Sequence, residues 1–252
     1  MRNNVVRIAV LVLTAVLVAS LPARGEETSR AMNVVTLPDT FEAQDQVAVE
    51  AYKEASASLM ARDLEAAVER FRAASAFYEQ KYNKPGVRYL CARSQQEMAE
   101  VSAELVLTSK DRDFRFVPML WASSYFWEGY TLIELKNWSE AKTALERAIA
   151  LSPRNAKFIS ELGHVHQMEK DFPAALETFH RAEEAAAVSP METRDQELAR
   201  AWRGQGYALI EMGRLDEAEK FYHRCLSLDS SDRRAQSELI YIQRLRAKSG
   251  GK

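Results

Sequence analysis

The amino-acid sequence predicts an all-α fold made of repeated helical hairpins. Of its 252 residues only 9 are Gly and 7 are Pro, while 47% are hydrophobic. The chain is rich in Ala, Glu, Leu and Arg, which lose little conformational freedom in a helix. One spacing of small and large side chains also recurs three times between residues 122 and 232. Composition and recurrence together favour stacked helices.

The recurrent spacing begins at a glycine and continues with a small residue twelve positions later. An apolar or aromatic residue follows after four positions, and another small residue after three more. The three instances are Gly129–Ala141–Leu145–Ala148, Gly163–Ala175–Phe179–Ala182 and Gly206–Ala218–Tyr222–Cys225. Small side chains allow two helices to approach closely, and large ones fill the grooves beside them. Turns are predicted at Lys136-Asn137, Lys170-Asp171 and Gly213-Arg214.

This pattern resembles the tetratricopeptide repeat, a helix–turn–helix unit of about 34 residues. The resemblance implies a right-handed superhelix of helical hairpins, an α-solenoid. Domain 121–232 accordingly holds three repeats, at 122–155, 156–189 and 199–232. An insertion at 189–193 separates the last two, and we expect it to lengthen the preceding loop or helix.

The first 25 residues have the organisation of a secretory signal peptide. Arg2 and Arg7 precede an uncharged apolar run at 8–21, and Ala23 and Gly25 suit cleavage before Glu26. The run is shorter than a membrane-spanning helix needs. We therefore expect a periplasmic or secreted protein with no membrane span after signal removal. The alternative is an uncleaved signal that anchors the chain to a membrane.

The regions outside the three repeats are less regular. Residues 26–40 are polar and are predicted to be flexible. Residues 41–81 form a degenerate helical repeat, in which Ala67, Phe71 and Ala74 match the second helix and Ala55 replaces the usual glycine. An irregular helical connector at 82–120 contains one long predicted helix, from Gly86 to Thr108. Residues 233–252 form an amphipathic capping helix and tail, which such arrays need for solubility.

In tetratricopeptide proteins the first helix of each repeat lines a concave face that holds peptides. The family's inward positions, transferred onto this chain, include seven candidate peptide-binding residues: Phe126, Tyr130, Lys157, His164, Arg200, Arg203 and Tyr207. Aromatic and arginine side chains are enriched at binding hot spots. The predicted groove is aromatic at one end and basic at the other, which suits an acidic or C-terminal peptide segment. The alternative is that the aromatics pack against neighbouring helices and the arginines only solvate the surface.

Other residue clusters give weaker indications of chemistry. Glu161, His164 and His166 do not share one helix face, so no metal site is predicted. Cys91 and Cys225 are expected to be separate buried thiols rather than a disulfide. The formal net charge is -2, and loss of the three leader arginines lowers it to -5, which provides no electrostatic footprint for nucleic acid. We predict no catalytic residue, no metal and no cofactor.

The sequence therefore predicts a non-enzymatic scaffold or adaptor that binds a protein or peptide partner and supports an envelope or secretion complex. Two alternatives remain: a structural subunit of a larger assembly, and a sequestering, immunity-like binder. The aromatic cluster Phe114, Phe116, Trp121, Phe126 and Trp127 would be the subunit interface in the first alternative. The same cluster is otherwise expected to be core between the connector and the next repeat.

Overall fold

The computed structural model describes residues 45–108 and 113–249, which belong to one unit of the chain. The predicted leader at 1–25 and the polar segment at 26–40 lie outside the described residues, as do 41–44, 109–112 and 250–252. None of the helices within the described ranges has both the length and the apolarity that crossing a bilayer requires.

Helices make up most of the described structure, in agreement with the predicted all-α fold. In chain order they are α1 (Gln46–Met60), α2 (Leu64–Lys81), α3 (Gln95–Thr108), α4 (Met119–Glu134), α5 (Trp138–Leu151), α6 (Ala156–Met168), α7 (Phe172–Ala186), α8 (Met191–Glu211), α9 (Leu215–Leu228) and α10 (Arg233–Ser249). Helices α1–α2, α4–α5, α6–α7 and α8–α9 pack as hairpins. The second helix of each hairpin then contacts the first helix of the next, and α10 packs on α9 in the same way. This succession of contacts produces an α-solenoid.

The four hairpin turns share one backbone geometry. The second residue after each first helix has a left-handed conformation, with φ of 63° at Arg62, 60° at Lys136, 60° at Lys170 and 75° at Gly213. The following N–H closes the helix by bonding to a carbonyl five residues earlier, as from Asn137 to Leu132 at 2.9 Å. Asn137 then caps the next helix through its side chain. The predicted turns are confirmed.

Replacing Lys170 with glycine should stabilise the protein by about 0.5–1 kcal/mol, because glycine relieves the steric cost of the left-handed conformation. Lys170 is exposed, so little side-chain contact is lost. Urea unfolding followed by circular dichroism measures the change. As a control, Lys220→Gly in the middle of α9 should destabilise by about 1 kcal/mol. A loss of stability in Lys170→Gly would contradict the prediction.

The recurrent glycines allow close helix contact, as the sequence predicts. A methyl group at Gly163 would lie 2.9 Å from the Phe179 ring, and one at Gly206 would lie 2.8 Å from the Tyr222 ring. Gly204, which the repeat pattern does not single out, has the same role. A methyl group there would overlap the opposite edge of the Phe179 ring. The Phe179 side chain is thus fitted between two glycines on α6 and α8.

The connector at 82–120 differs from its prediction. Strands β1 (Arg88–Leu90) and β2 (Phe114–Phe116) pair in parallel, with Tyr89 opposite Arg115, and α3 lies between them in sequence. The predicted helix is therefore wrong over 86–94. The strand is stabilised by hydrogen bonds to residues far along the chain. One of them runs from Cys91 N–H to the carbonyl of Leu151, at the end of α5, at 2.6 Å.

The insertion at 189–193 also differs from its prediction. Helix α7 ends at Ala186, and α8 begins at Met191, directly after Pro190. The insertion therefore lengthens the first helix of the last hairpin, not the element before it. Proline is tolerated there because the first N–H groups of a helix lack intrahelical partners. The extension contributes Glu197, which reaches the connector.

One arginine in the connector links several parts of the fold. The Arg93 guanidinium donates to Glu97 on α3 at 3.0 Å and to Glu197 on α8 at 2.6 Å. It also donates to the Ser189 hydroxyl at 3.1 Å. The Glu97 side chain is fully buried and accepts a further bond from the Ser152 hydroxyl. This buried network fixes the connector to the middle of the repeat array.

The aromatic cluster of the connector belongs largely to the core. Phe116, Trp121 and Phe126 are buried, whereas Phe114 and Trp127 are partly exposed. Trp121 stacks on Tyr82 with ring centroids 5.7 Å apart. The cluster therefore offers little surface to another subunit.

Candidate peptide-binding groove

The first helices of three hairpins and the C-terminal helix line a groove of about 900 Å³. Helices α4, α6 and α8 face it because their opposite sides pack against the second helices of the hairpins. Phe179 and Tyr222 reach its floor from α7 and α9. The solenoid thus places residues from six helices around one cavity.

Five of the seven predicted residues line this groove: Tyr130, His164, Arg200, Arg203 and Tyr207. Tyr207 is among the exposed large side chains, and Tyr130 and His164 are half-buried. Tyr130 also contacts Trp127 edge to face, with centroids 5.4 Å apart. Both tyrosine rings are supported by neighbouring aromatic side chains, since Tyr207 meets Phe172 at 6.4 Å.

Phe126 does not line the groove, which corrects its assignment as a ligand-contacting residue. Its side chain is buried and stacks on Phe158 with ring centroids 4.7 Å apart. The inward position of the repeat is filled here by an aromatic that the adjacent helix covers. Phe126 is therefore a packing residue. This agrees with the alternative that the aromatic residues pack against neighbouring helices.

Lys157 also lies outside the groove lining, although its side chain is exposed. Its ammonium group sits over the rings of Phe126 and Trp127, at 4.7 and 4.9 Å from the centroids. The rings displace part of the water around the ammonium group, and this desolvation lowers the Lys157 pKa; the positive charge of Arg200 lowers it further. The lysine is thus held in place by cation–π contacts beside the groove.

The two predicted arginines in the groove are paired within the protein. Arg200 donates to Glu161, whose side chain is almost fully buried. Arg203 donates to Asp232 at 2.6 Å. Their positive charges are therefore largely compensated before any ligand arrives. The groove is less basic at these positions than the sequence predicts.

Helix α10 forms a wall of the groove that sequence reasoning missed. Arg233, Arg234, Ser237 and Glu238 all line it. The sequence did carry a signal for this placement. If α10 is read as the first helix of a further repeat starting at 233, the inward positions include Arg234 and Ser237. Because α10 was expected to be a solvating cap, these inward positions were not assigned to the groove.

The groove also contains two unusual polar groups. Burial raises the pKa of the Glu238 carboxyl, and the carboxyl has no ion-pair partner within residues 45–108 and 113–249. The Ser160 hydroxyl is buried and lacks a hydrogen-bond partner in the same ranges. An unsatisfied hydroxyl costs free energy unless a ligand or water supplies a partner.

The weaker clusters of the sequence have structural roles. Glu161 is engaged by Arg200, and His166 is buried at a repeat core position, as predicted. Burial lowers the pKa of His166. Cys91 and Cys225 are separate buried thiols, as predicted, and burial raises their pKa values to about 12 and about 11. Thiols of such high pKa are poor nucleophiles at neutral pH.

Comparison with known proteins supports the architecture. The family model described as "Tetratricopeptide repeat" matches residues 122–155 and 199–232, the predicted bounds of the first and third repeats. No curated protein matches the chain significantly.

Several solved structures are similar to this chain. PilF of Pseudomonas aeruginosa is 13% identical, with a TM-score of 0.55, over 82% of this chain and 72% of its own. MamA of Desulfovibrio magneticus RS-1 is also 13% identical, with a TM-score of 0.55, over 82% of this chain and 88% of its own. The first tetratricopeptide domain of human RPAP3 is 21% identical over 52% of this chain and 96% of its own, with a TM-score of 0.45. The chain is thus an all-α solenoid that contains tetratricopeptide repeats.

Proposed function

We propose that this protein is an exported protein–protein interaction scaffold that holds a peptide or protein segment in the groove between α4, α6, α8 and α10. The observation that carries the proposal is the groove itself, with a volume of about 900 Å³ and residues from three repeats around it. Its lining combines aromatic anchors with hydrogen-bonding and charged groups. Such a combination is typical of protein-recognition surfaces.

The groove is held rigid by contacts between helices. Arg200 joins α8 to Glu161 on α6, and Arg203 joins α8 to Asp232 before α10. Gln167 adds a hydrogen bond to the carbonyl of Gly204 at 3.1 Å. Because these walls are fixed in advance, a ligand binds without ordering the protein around it. Preorganisation therefore favours capture of an extended segment.

Export is the second part of the proposal and rests on the leader at 1–25. Its basic start, apolar run and small residues before Glu26 support cleavage and delivery to the periplasm or the exterior. There the scaffold would assist assembly of an envelope or secretion complex. Mass determination of the mature N-terminus tests this part, since retention of residues 1–25 would favour the anchored alternative.

Truncating the groove aromatics should abolish ligand capture while preserving the fold. In the variant Tyr130→Ala/His164→Ala/Tyr207→Ala, we expect binding to weaken at least about a hundredfold, since each lost anchor costs about 1–2 kcal/mol. All three side chains are at least partly exposed, so thermal melting should change little. Selection from a random peptide library displayed on phage, followed by fluorescence anisotropy on the selected peptides, provides the measurement.

The matched control is Val47→Ala/Leu107→Ala/Met191→Ala. These three side chains are more exposed than the groove aromatics, and none of them lines the groove. The control should capture the same peptides as the wild-type protein. Equal capture by wild-type protein and the groove variant would exclude this groove as the binding site.

A further inference from the structure

The wall formed by α10 carries the uncompensated positive charge of the groove. Arg233 and Arg234 are exposed and line the groove, and within residues 45–108 and 113–249 neither guanidinium has an ion-pair partner. Arg200 and Arg203, by contrast, are paired with Glu161 and Asp232. The positive charge that a ligand can pair with therefore comes from the C-terminal helix rather than from the repeats.

The same side of α10 carries further basic residues beyond the groove. Residues 234, 237, 241, 244 and 248 follow the spacing of one helix face. They place Tyr241, Arg244 and Lys248 in line with Arg234, and all three are exposed. Burial raises the pKa of Tyr207 on α8, and the nearby Glu211, Glu238 and Tyr241 raise it further. Together with Arg233 and Glu238, these residues form one continuous strip on α10, in which basic groups flank a single aromatic ring, Tyr241.

We infer that this strip selects the ligand, so that the groove prefers an acidic peptide segment whose carboxylates pair with Arg233 and Arg234. The inference rests on the proposed function and specifies its ligand class. An apolar or aromatic side chain of the same segment would pack near Tyr207. Arginine pairs with carboxylates through two parallel hydrogen bonds, which gives both affinity and orientation.

The position of the strip favours a peptide over an anionic bilayer. Arg234, Ser237 and Glu238 line a concave groove opposite α4 and α6, where the flat surface of a bilayer does not reach. Glu238 also lies within the strip and opposes any polyanion that covers the whole strip. A short segment can instead place its carboxylates at Arg233 and Arg234 and leave the vicinity of Glu238 uncharged.

Substituting Glu238 should change peptide affinity in the opposite direction to substituting the arginines. Its carboxylate lies one helical turn from Arg234 and lowers the local positive potential, so Glu238→Gln should tighten binding of an acidic peptide about two- to threefold. Arg233→Gln/Arg234→Gln should weaken it about tenfold or more, because bonds to charged groups are lost. Arg233 and Arg234 are exposed, and Gln has nearly the shape of the half-buried Glu238, so both variants should fold as the wild-type protein does.

The experiment is selection of phage-displayed random peptides on the full chain, with sequencing of the enriched pool. The wild-type protein should enrich peptides with excess Asp and Glu, and Arg233→Gln/Arg234→Gln should lose that excess. The control variant Arg181→Gln/Lys220→Gln removes two exposed cations that do not line the groove. It should still enrich peptides with excess Asp and Glu. Fluorescence anisotropy with one selected peptide then measures affinity at low and high salt.

The outcomes separate this inference from the proposed function. If the wild-type protein enriches peptides without acidic excess, or the arginine variant keeps the excess, the inference is wrong and groove binding stands. If the wild-type protein enriches nothing beyond the Tyr130→Ala/His164→Ala/Tyr207→Ala variant, both fail. Tighter binding to phosphatidylglycerol vesicles than to selected peptides, lost in the arginine variant, would overturn the peptide assignment in favour of a membrane surface.

Discussion

Replacing Arg93 with Met should destabilise the protein by about 3–5 kcal/mol, because two buried carboxylates lose their shared cation. Glu97 is fully buried, and the Glu197 side chain is 9% exposed. The guanidinium is itself mostly buried and bonds to both. Without it, each carboxylate retains only hydroxyl and backbone partners in a medium of low dielectric constant. Urea unfolding, followed by circular dichroism, measures the loss.

The origin of this loss can be checked by removing the charges together. In Arg93→Met/Glu97→Gln/Glu197→Gln, no buried charge remains, and amide oxygens still accept bonds from Ser152 and Ser189. Most of the lost stability should return, since neutral replacement of a buried ionic group costs little. The surface comparison is Arg214→Met, which breaks an exposed pair with Glu217 and should cost less than about 1 kcal/mol. If Arg93→Met costs no more than that, the network does not fix the connector.

Replacing Gly204 with Ala should destabilise the protein by about 1–3 kcal/mol through overpacking. The added methyl group would overlap the Phe179 ring, which is buried and already close to Gly163 on its other edge. Alanine is the better helix former by about 1 kcal/mol, so the measured effect is what remains after that gain. A stabilised variant would show that α7 and α8 can separate at no cost.

A double-mutant cycle assigns the effect to this one contact. Phe179→Leu provides the space that the new methyl group needs, at a cost of its own of about 1 kcal/mol. The combination Gly204→Ala/Phe179→Leu should therefore be less destabilised than the sum of the two single variants. Strict additivity of the two losses, measured by urea unfolding, would place the clash elsewhere.

Prediction from sequence succeeded where the signal is local. Each hairpin encodes its turn in adjacent residues, such as Lys170-Asp171, and its close helix contact in pairs such as Gly163 and Phe179. Such signals lie within one repeat and need no knowledge of distant partners. They located the repeats at 122–155 and 199–232, which the family model also matches.

The connector shows where local signals are insufficient. Strand β1 is only three residues long, too short for an alternating pattern to be recognised. Its conformation depends on pairing with β2 and on the bond from Cys91 to Leu151. The sequence Gly86 to Thr108 therefore reads as helix, although its first part is extended.

The sequence predicted that the first helices of the repeats line the candidate groove, but not which of their side chains are accessible or unpaired. The repeat positions brought together Tyr130, His164 and Tyr207, but Phe126 is covered by a neighbouring helix. Whether an arginine is available depends on partners elsewhere in the chain, and Asp232 neutralises Arg203 from the start of α10. No spacing rule within one repeat contains that information.

The sequence by itself determined the helical hairpins, their turns and the glycine contacts that set the distance between helices. It did so because turn geometry and helix periodicity are properties of neighbouring residues. Only the tertiary structure decided which charges remain available in the groove, through pairs such as Arg200 with Glu161. It also decided that Arg93 and Glu197, which lie 104 positions apart, form one buried network. Burial and ion pairing are properties of the packed chain, so they appear only once the helices are stacked.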